Sequence, residues 1–362
     1  MSYLVAANPA LQGDLRIYRA AAQADALGRN PYESGALTGP GGKTQSLPFV
    51  YPPVALPLLR ALLVFDYRTT YSLFFALKMA AVVALIALWR RWLFPDDLSG
   101  ACLYLLCALA YGQTLKMDVR AGNISVFEQV LIWTGVLALL RGRTWLYAGL
   151  IAAAALFKLT TAGLLLVLLL DRSRRAVGPL LGALAGLALV HGLSAAVRPD
   201  LFAAFLRNAA ALDDRGRTNP AALALIRDGV ERLPGPAPPH LDWILYVLIV
   251  LLVTASFLSV VRRSEMPGDL DGVLHAFLLG FALASPRFKD YSYILLIPPS
   301  VYVVVTVLRR LVPRLLAVLL VCTHVFAYQS WVAALVLFMV LVAHLRSRAR
   351  RPPGPEVAPG PA

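Results

Sequence analysis

Long apolar runs broken by short arginine clusters constrain this chain more than any other feature. A helix crossing about 30 Å of hydrocarbon needs around 20 apolar residues. Stretches near 70–90, 98–115, 124–140, 176–196, 242–261, 270–285 and 291–308 approach that length. The last apolar block, 313–345, has room for two short spans turning at Gln329 and Ser330. Composition agrees: 59% of the 362 residues are hydrophobic and 15% are charged, against roughly 25% charged in soluble domains. The fold class expected is therefore all-α, a polytopic transmembrane helical bundle. The formal net charge of +14 lies in clusters that punctuate apolar runs rather than in a stripe on a polar domain. That pattern points to arginines held on one side of a bilayer and away from nucleic acid.

The clusters are Arg90 and Arg91, Arg141 and Arg143, Arg172 to Arg175, Arg262 and Arg263, Arg309 to Arg314, and Arg346 to Arg351. Placing all of them in the cytoplasm satisfies the positive-inside rule. Intervals 91–141, 175–262, 263–309 and 314–346 then hold two spans each, so every interval returns the chain to the same side. The interval Trp145 to Leu170 is too short for two full spans; two half-helices meeting near Phe157-Lys158-Leu159-Thr160-Thr161 fit it better than the alternative, one long span that breaks the charge rule. The expected location is the cell (plasma) membrane, multi-pass, with a cytoplasmic C-terminus. Three units follow: residues 1–69 as an outer-face loop, 70–345 as the multi-span domain with an outer loop at 198–241, and 346–362 as a basic, then Pro/Gly-rich cytoplasmic tail.

Within the outer segments, Asp14 to Leu27 reads as an amphipathic helix closed by Gly28. Tyr51-Pro52-Pro53 opens a second short apolar helix ending near Phe65. In the 198–241 loop, Leu201 to Leu212 and Ala221 to Val230 read as helices lying on the membrane surface, separated by Asp213-Asp214-Arg215-Gly216-Arg217. The opening, Met1 to Gly13, has neither a basic n-region nor an apolar anchor. Cys102, Cys107 and Cys322 lie inside apolar runs, as small core residues rather than metal or disulfide partners. The tail from Pro352 to Ala362 has a disordered composition.

No phosphate-binding glycine loop, histidine-based metal motif or Ser/His/Asp arrangement is legible, and no metal or cofactor is expected. Polar residues at the outer ends of spans are the candidates, because charge there is costly unless it lines a cavity. Asp14 reads on local spacing first as a helix N-cap, with a carboxylate base as the lesser alternative. The turn Asp118-Val119-Arg120-Ala121-Gly122-Asn123 reads as a solvated bend. It is followed one helical turn on by Glu128, for which Arg120 or Lys116 could be the partner. Lys158, at the break of a half-helix pair, can meet an anionic group, whereas Lys78, near its span's outer end, can simply snorkel. Ser285-Pro286-Arg287-Phe288-Lys289-Asp290-Tyr291 packs three charges into one turn, and Arg and Lys both bind phosphate. Asp269 and Asp271 form a DxD pattern on the cytoplasmic side, to which no metal is assigned.

Taken in order, these pieces resemble glycosyltransferase family 87, mannosyltransferase-like membrane enzymes of the GT-C class. The pieces are Asp14 with Tyr18 and Ala20-Ala21, Gly28 with Asn30-Pro31-Tyr32, and Tyr51-Pro52-Pro53. They continue with Arg120 and Gly122-Asn123, Ala148-Gly149 with Phe157-Lys158-Leu159-Thr160, and Ser285-Pro286-Arg287.

The resemblance implies a hexosyltransferase that takes a mannose-like sugar from a polyprenyl-phosphate donor and passes it to a lipid or glycan acceptor at the outer face, among membrane lipids. It maps the family's catalytic aspartate onto Asp14 and the donor-phosphate cations onto Arg120, Lys158, Arg287 and Lys289. Tyr18, Tyr51 and Asn123 fall beside them as substrate-binding positions. The same resemblance implies metal independence, and a single in-line displacement would invert the anomeric centre. Family members begin with a spanning helix ahead of this loop, so the expectation is either that a first helix is missing before Asp14 or that Asp14 is tethered differently. A transporter or flippase of a lipid-linked sugar is the alternative, since it also uses broken helices and buried charge. It predicts an inverted repeat, which the sequence lacks. A non-catalytic assembly partner is the third reading, predicting tolerance of Asp14→Asn.

Overall fold

The structure is a computed structural model that describes residues 12–33, 35, 37, 48–94, 100–170, 176–235, 238–262 and 270–349. The opening before Gln12, the Arg172 to Arg175 cluster, Asp269 and the Pro352 to Ala362 tail fall outside the described residues. All regular structure among the described residues is helical. In chain order the helices are α1 Gly13–Ala26, α2 Tyr67–Trp92, α3 Gly100–Ala121, α4 Ser125–Leu140, α5 Thr144–Ala155 and α6 Val177–Val197. They continue as α7 Pro199–Ala211, α8 Ala222–Val230, α9 Leu241–Val261, α10 Leu270–Ala284, α11 Leu311–Cys322 and α12 Gln329–Ala349. Pro53–Leu63 is an α-helical turn, Leu56–Leu59, between two tight ones, Leu159–Leu170 is a tight helix, and the segment Asp290–Val307 passes from tight to α to wide helical geometry.

Five of these are long and apolar enough to cross a membrane: α2, α6, α9, Asp290–Val307 and α12. A sixth candidate is a broken one, since α3 and α4 meet at 118° across the turn at residues 122–124. The stretches 98–115 and 124–140, expected as two spans, form this bent pair. Within α3 the chain leaves helical geometry at Ala110, and Tyr111, Gly112 and Gln113 are left-handed, with φ of 51, 68 and 66°. The left-handed conformation costs a non-glycine residue about 1–2 kcal/mol. It is held here by the Tyr111 hydroxyl against Ser300 Oγ at 2.6 Å and by Thr114 Oγ1 donating to the Asp290 carbonyl. The stretch 270–285 forms a helix of 15 residues, shorter than a full span.

The Trp145–Leu170 interval is a broken pair rather than one long span. Helix α5 stops at Ala155, and a tight helix starts again at Leu159. Around it lies the core: α4, α5, α10, α12 and residues 293–304 are buried, with Trp133, Tyr147, Ile151, Leu279, Tyr293 and Leu337 almost fully enclosed. Helices α2, α6 and α9 instead turn leucines outward, among them Leu77, Leu189, Leu193, Leu251 and Leu252. Apolar surface of that extent, on helices of spanning length, is satisfied by lipid.

Among the described residues, arginines tie the ends of neighbouring helices together. The Arg141 guanidinium lies over the Trp92 ring at 4.1 Å and Arg91 lies over the same ring at 5.1 Å, joining the ends of α2 and α4. Arg346, near the end of α12, donates to Ser259 near the end of α9 at 2.8 Å. At α4 the reversal is a glycine-closed cap, with Gly142 at φ 73° and Arg143 N–H bonded to the Ala138 carbonyl at 2.8 Å.

Helix α1 packs against the Pro53–Leu63 segment and the bend between α3 and α4, burying Leu15, Ile17, Tyr18, Ala21 and Ala22. Its far end closes on Gly28, φ 71°, with Arg29 N–H bonded to the Ala24 carbonyl and Gly28 N–H to that of Asp25. Asp25 is buried and accepts from Arg60 at 2.8 Å and from Arg198. These two bonds tie α1 to the second short helix and to the start of α7.

Lys78 of α2 and Asp118 of α3 form an ion pair at 2.8 Å with neither side chain exposed. This corrects two expectations: Lys78 does not snorkel, and Asp118 does not lie in a solvated turn. Removing one member of a buried pair strands the other charge, at a cost of about 3–5 kcal/mol, while replacing both by apolar groups costs far less. Lys78→Met is therefore expected to lower stability by that amount in detergent unfolding experiments. Lys78→Met/Asp118→Leu is expected to recover most of the loss; a double variant no better than the single would contradict this account.

Candidate active site

The turn between α3 and α4 builds the site. Gly122 has φ 72°, and its N–H and that of Asn123 both bond back to the Asp118 carbonyl. A Cβ at Gly122 would stand 2.8 Å from Gln12 Cβ and 3.3 Å from Gln12 Cα, so glycine is required twice, by the turn and by the close approach of α1. Lys78 Nζ donates to the carbonyls of Asp118, at 2.6 Å, and Asn123. The buried ammonium thus fixes both ends of the bend.

Asn123 uses both halves of its amide. Its Oδ1 accepts from Ser125 N–H at 3.0 Å and Ser125 Oγ at 2.8 Å. That leaves Nδ2 to donate to Asp14 Oδ2 at 2.6 Å and to the Tyr51 hydroxyl at 3.2 Å. Tyr51 and Tyr18 share a hydroxyl contact of 2.8 Å with their rings edge to face. Burial pushes both phenols well above their ordinary range, so they remain neutral.

Asp14 lies in the first turn of α1, where a carboxylate also favours the helix dipole. The N-cap expectation is corrected: the helix starts at Gly13, flanked by Gln12, and no side chain caps it. The Asp14 carboxylate turns instead toward Asn123. Burial raises its pKa above the ordinary aspartate value, opposed by the Asn123 hydrogen bond and by the charges of Lys289, Lys78 and Lys158.

Lys158 stands at the break after α5 and pairs with Glu128 at 2.8 Å. It also donates to Ser125 Oγ, and Thr161 Oγ1 donates to Glu128. The anion that Lys158 meets is therefore a carboxylate of the chain itself. Neither Arg120 nor Lys116 partners Glu128; Lys116 bonds to Gln113 Oε1 at 2.6 Å. Lys158 Nζ also lies 5.0 Å from the Tyr291 ring centre.

One cavity, about 70 Å³, is lined by Asp14, Tyr18, Tyr51, Asn123, Arg287 and Lys289, together with Asp214, Leu212 and Tyr291. Six of the eight residues singled out from the sequence thus face one space. Lys158 sits behind it, reaching it through Ser125–Asn123 and under Tyr291. Arg120 does not line it: on a helix that advances 100° per residue, turning Asp118 inward places a residue two positions on at the opposite side, and Arg120 is exposed. Asp214, Tyr291 and the support from Lys78 were not assigned from the sequence. Asp214 lay in a charged stretch that reads as a spacer between two surface helices.

The sequence model of glycosyltransferase family 87 matches residues 49–286, about two thirds of the chain. The chain belongs to glycosyltransferase family 87. This family-87 protein is accordingly a membrane glycosyltransferase, a transferase rather than a transporter. No curated relative and no solved structure matches it. The matched region includes the 118–123 turn, Lys158 and Asp214, whereas Asp14, Arg287 and Lys289 lie beyond its two ends. Those three are brought to the matched region by the contacts of Asn123 and Asp214.

Gly122→Ala in this transferase is expected to push α1 off the turn, separating Asp14 from Asn123. Transferase activity should fall at least tenfold, with a loss of protection from proteolysis across residues 12–26. Wild-type activity in Gly122→Ala would show that this close approach does not position the site.

Proposed function

We propose that this family-87 glycosyltransferase moves a mannose-like hexose from a polyprenyl-phosphate donor to a hydroxyl of a lipid or glycan acceptor at the outer face of the cell membrane. Asp14 is the general base, and Arg287 and Lys289 hold the donor phosphate. The observation that carries this reading is the meeting of a carboxylate of raised pKa with two cations in one cavity.

In the step, the acceptor oxygen attacks the anomeric carbon as Asp14 takes the hydroxyl proton. The bond from that carbon to the phosphate oxygen breaks, and its electron pair leaves with the polyprenyl phosphate. The donor is a phosphodiester with one negative charge, while the leaving group is a phosphomonoester with up to two. Arg287 and Lys289 stabilise the charge that develops, which is where fixed electrostatics accelerate a reaction most. A base positioned for the acceptor adds roughly 10²–10⁴-fold. In-line attack inverts the anomeric configuration.

Asn123 holds the Asp14 carboxylate at one oxygen, leaving Oδ1 for the acceptor. Tyr18 and Tyr51 line the sugar's approach as neutral hydroxyls. Sidedness is read from the arginine clusters of the sequence, which the positive-inside rule puts, with the C-terminus, in the cytoplasm. The step needs only the base and the two cations, so it is expected to proceed in EDTA.

The test is sugar transfer by purified protein from a panel of polyprenyl-phosphate sugars with EDTA present. Wild type is expected to transfer, and Asp14→Asn to lose at least a hundredfold in kcat. The acid limb of kcat/KM should lie above the ordinary aspartate pKa of about 3.9, because the base must be ionised and its pKa is raised. Equal activity in Asp14→Asn would remove Asp14 from the chemistry, and loss of transfer in EDTA would contradict metal independence.

A further inference from the structure

The two cations that face the cavity are already occupied. Asp214 Oδ2 contacts Lys289 Nζ at 3.0 Å and also accepts from Arg287 Nη2. A single carboxylate thus bridges both groups that, on the proposed function, receive the donor phosphate. Those two cations outweigh burial and hold the Asp214 pKa below the ordinary carboxylate range, so the bridge is ionic. With it in place the cavity offers about 70 Å³, well under the roughly 300–1,000 Å³ of sites for small molecules.

The backbone around Asp214 is anchored independently of its charge. Asn219 Nδ2 donates to the Asp214 carbonyl at 2.8 Å, while Asn219 Oδ1 accepts from Phe288 N–H at 2.8 Å. Tyr293 donates to the Pro220 carbonyl at 2.6 Å, and Gly216 N–H donates to the Tyr328 hydroxyl at 3.1 Å. These bonds hold the 214–220 loop against the 285–291 turn whether or not the carboxylate is bridged. The side chain can therefore leave the cations without the loop losing its seat.

We propose that Asp214 is a resident anion that the donor phosphate displaces, so that the cavity opens by exchanging one negative charge for another. This rests on the reading of Arg287 and Lys289 as the donor-phosphate site. A phosphodiester donor carries the same single charge as the carboxylate, so the exchange leaves the net charge at the two cations unchanged. After transfer the phosphomonoester product remains there, and the return of Asp214 competes with it and drives its release. Between turnovers the bridge also keeps other anions away from the cations.

A closed state that holds nine-tenths of the protein raises an apparent Kd about tenfold. Polyprenyl monophosphate binding in nanodiscs is therefore compared for wild type, Asp214→Asn, Asp214→Ser, Asp214→Glu and Arg287→Met, with inorganic phosphate as a second probe. Asp214→Asn and Asp214→Ser are expected to bind polyprenyl monophosphate at least tenfold more tightly and to show correspondingly stronger product inhibition. Asp214→Glu, which keeps the competing charge, should stay near wild type, and Arg287→Met should bind more weakly.

Unchanged or weaker binding in both neutral variants, with Arg287→Met still weakened, would overturn the exchange and leave the donor site standing. Unchanged binding in Arg287→Met as well would overturn the donor site itself. Tightening toward inorganic phosphate alone would contradict a lipid-linked occupant.

Discussion

Lys78 and Asp118, with no exposed side-chain surface, face each other at 2.8 Å inside a bundle whose outer helices are solvated by lipid. Charges in that setting persist only when each satisfies the other and the remaining donors find carbonyls. Lys78 meets this condition by donating to the carbonyls of Asp118 and Asn123, and the site depends on that consequence. The bend between α3 and α4 is clamped at both ends. Asn123 is held in one orientation, and its amide N–H has only Asp14 and Tyr51 to address. A second pair, Lys158 with Glu128, supports the same bend from the other side through Ser125.

This layering explains why two lysines matter without lining the cavity. Their charges lie behind the turn and oppose the burial that raises the Asp14 pKa. The groups that do line the cavity come from four parts of the chain: α1, the turn at Tyr51, the bend at Asn123 and the 285–291 turn. A fifth, the loop carrying Asp214, supplies the counter-charge. The surface helices α7 and α8 are thus more than a covering, since the loop between them seats a carboxylate on the two cations.

Much of the fold was legible because lipid imposes simple requirements on sequence. Apolar length located the five helices of spanning length, and glycine closed α1 at Gly28. The short interval between Arg143 and Arg172 favoured the break at Lys158 over one long span. Less legible was anything that depends on which charges meet. Asp118 looks like part of a solvated bend, and Arg120 looks equally able to face inward; the helical phase that buries one and exposes the other is set by Lys78, 40 residues away. Glu128 needed a partner, but the nearest cations in sequence, Lys116 and Arg120, point elsewhere. Lys158 reaches it only because the chain folds back after α5. Asp214 carried no local signal, since its role exists only where two distant loops are pinned together by Asn219.

A structure of the enzyme with a non-hydrolysable polyprenyl-phosphonate sugar tests the central claim most directly, because the claim is that one cavity joins a base to a phosphate site. The account predicts the phosphonate within hydrogen-bond reach, about 3 Å, of Arg287 and Lys289, with Asp214 withdrawn. Asp14 should then stand on the opposite face of the anomeric carbon, within a similar reach of the position of an acceptor hydroxyl. A phosphonate seated against the exposed Arg120, or a sugar whose reacting face is turned from Asp14, would contradict it.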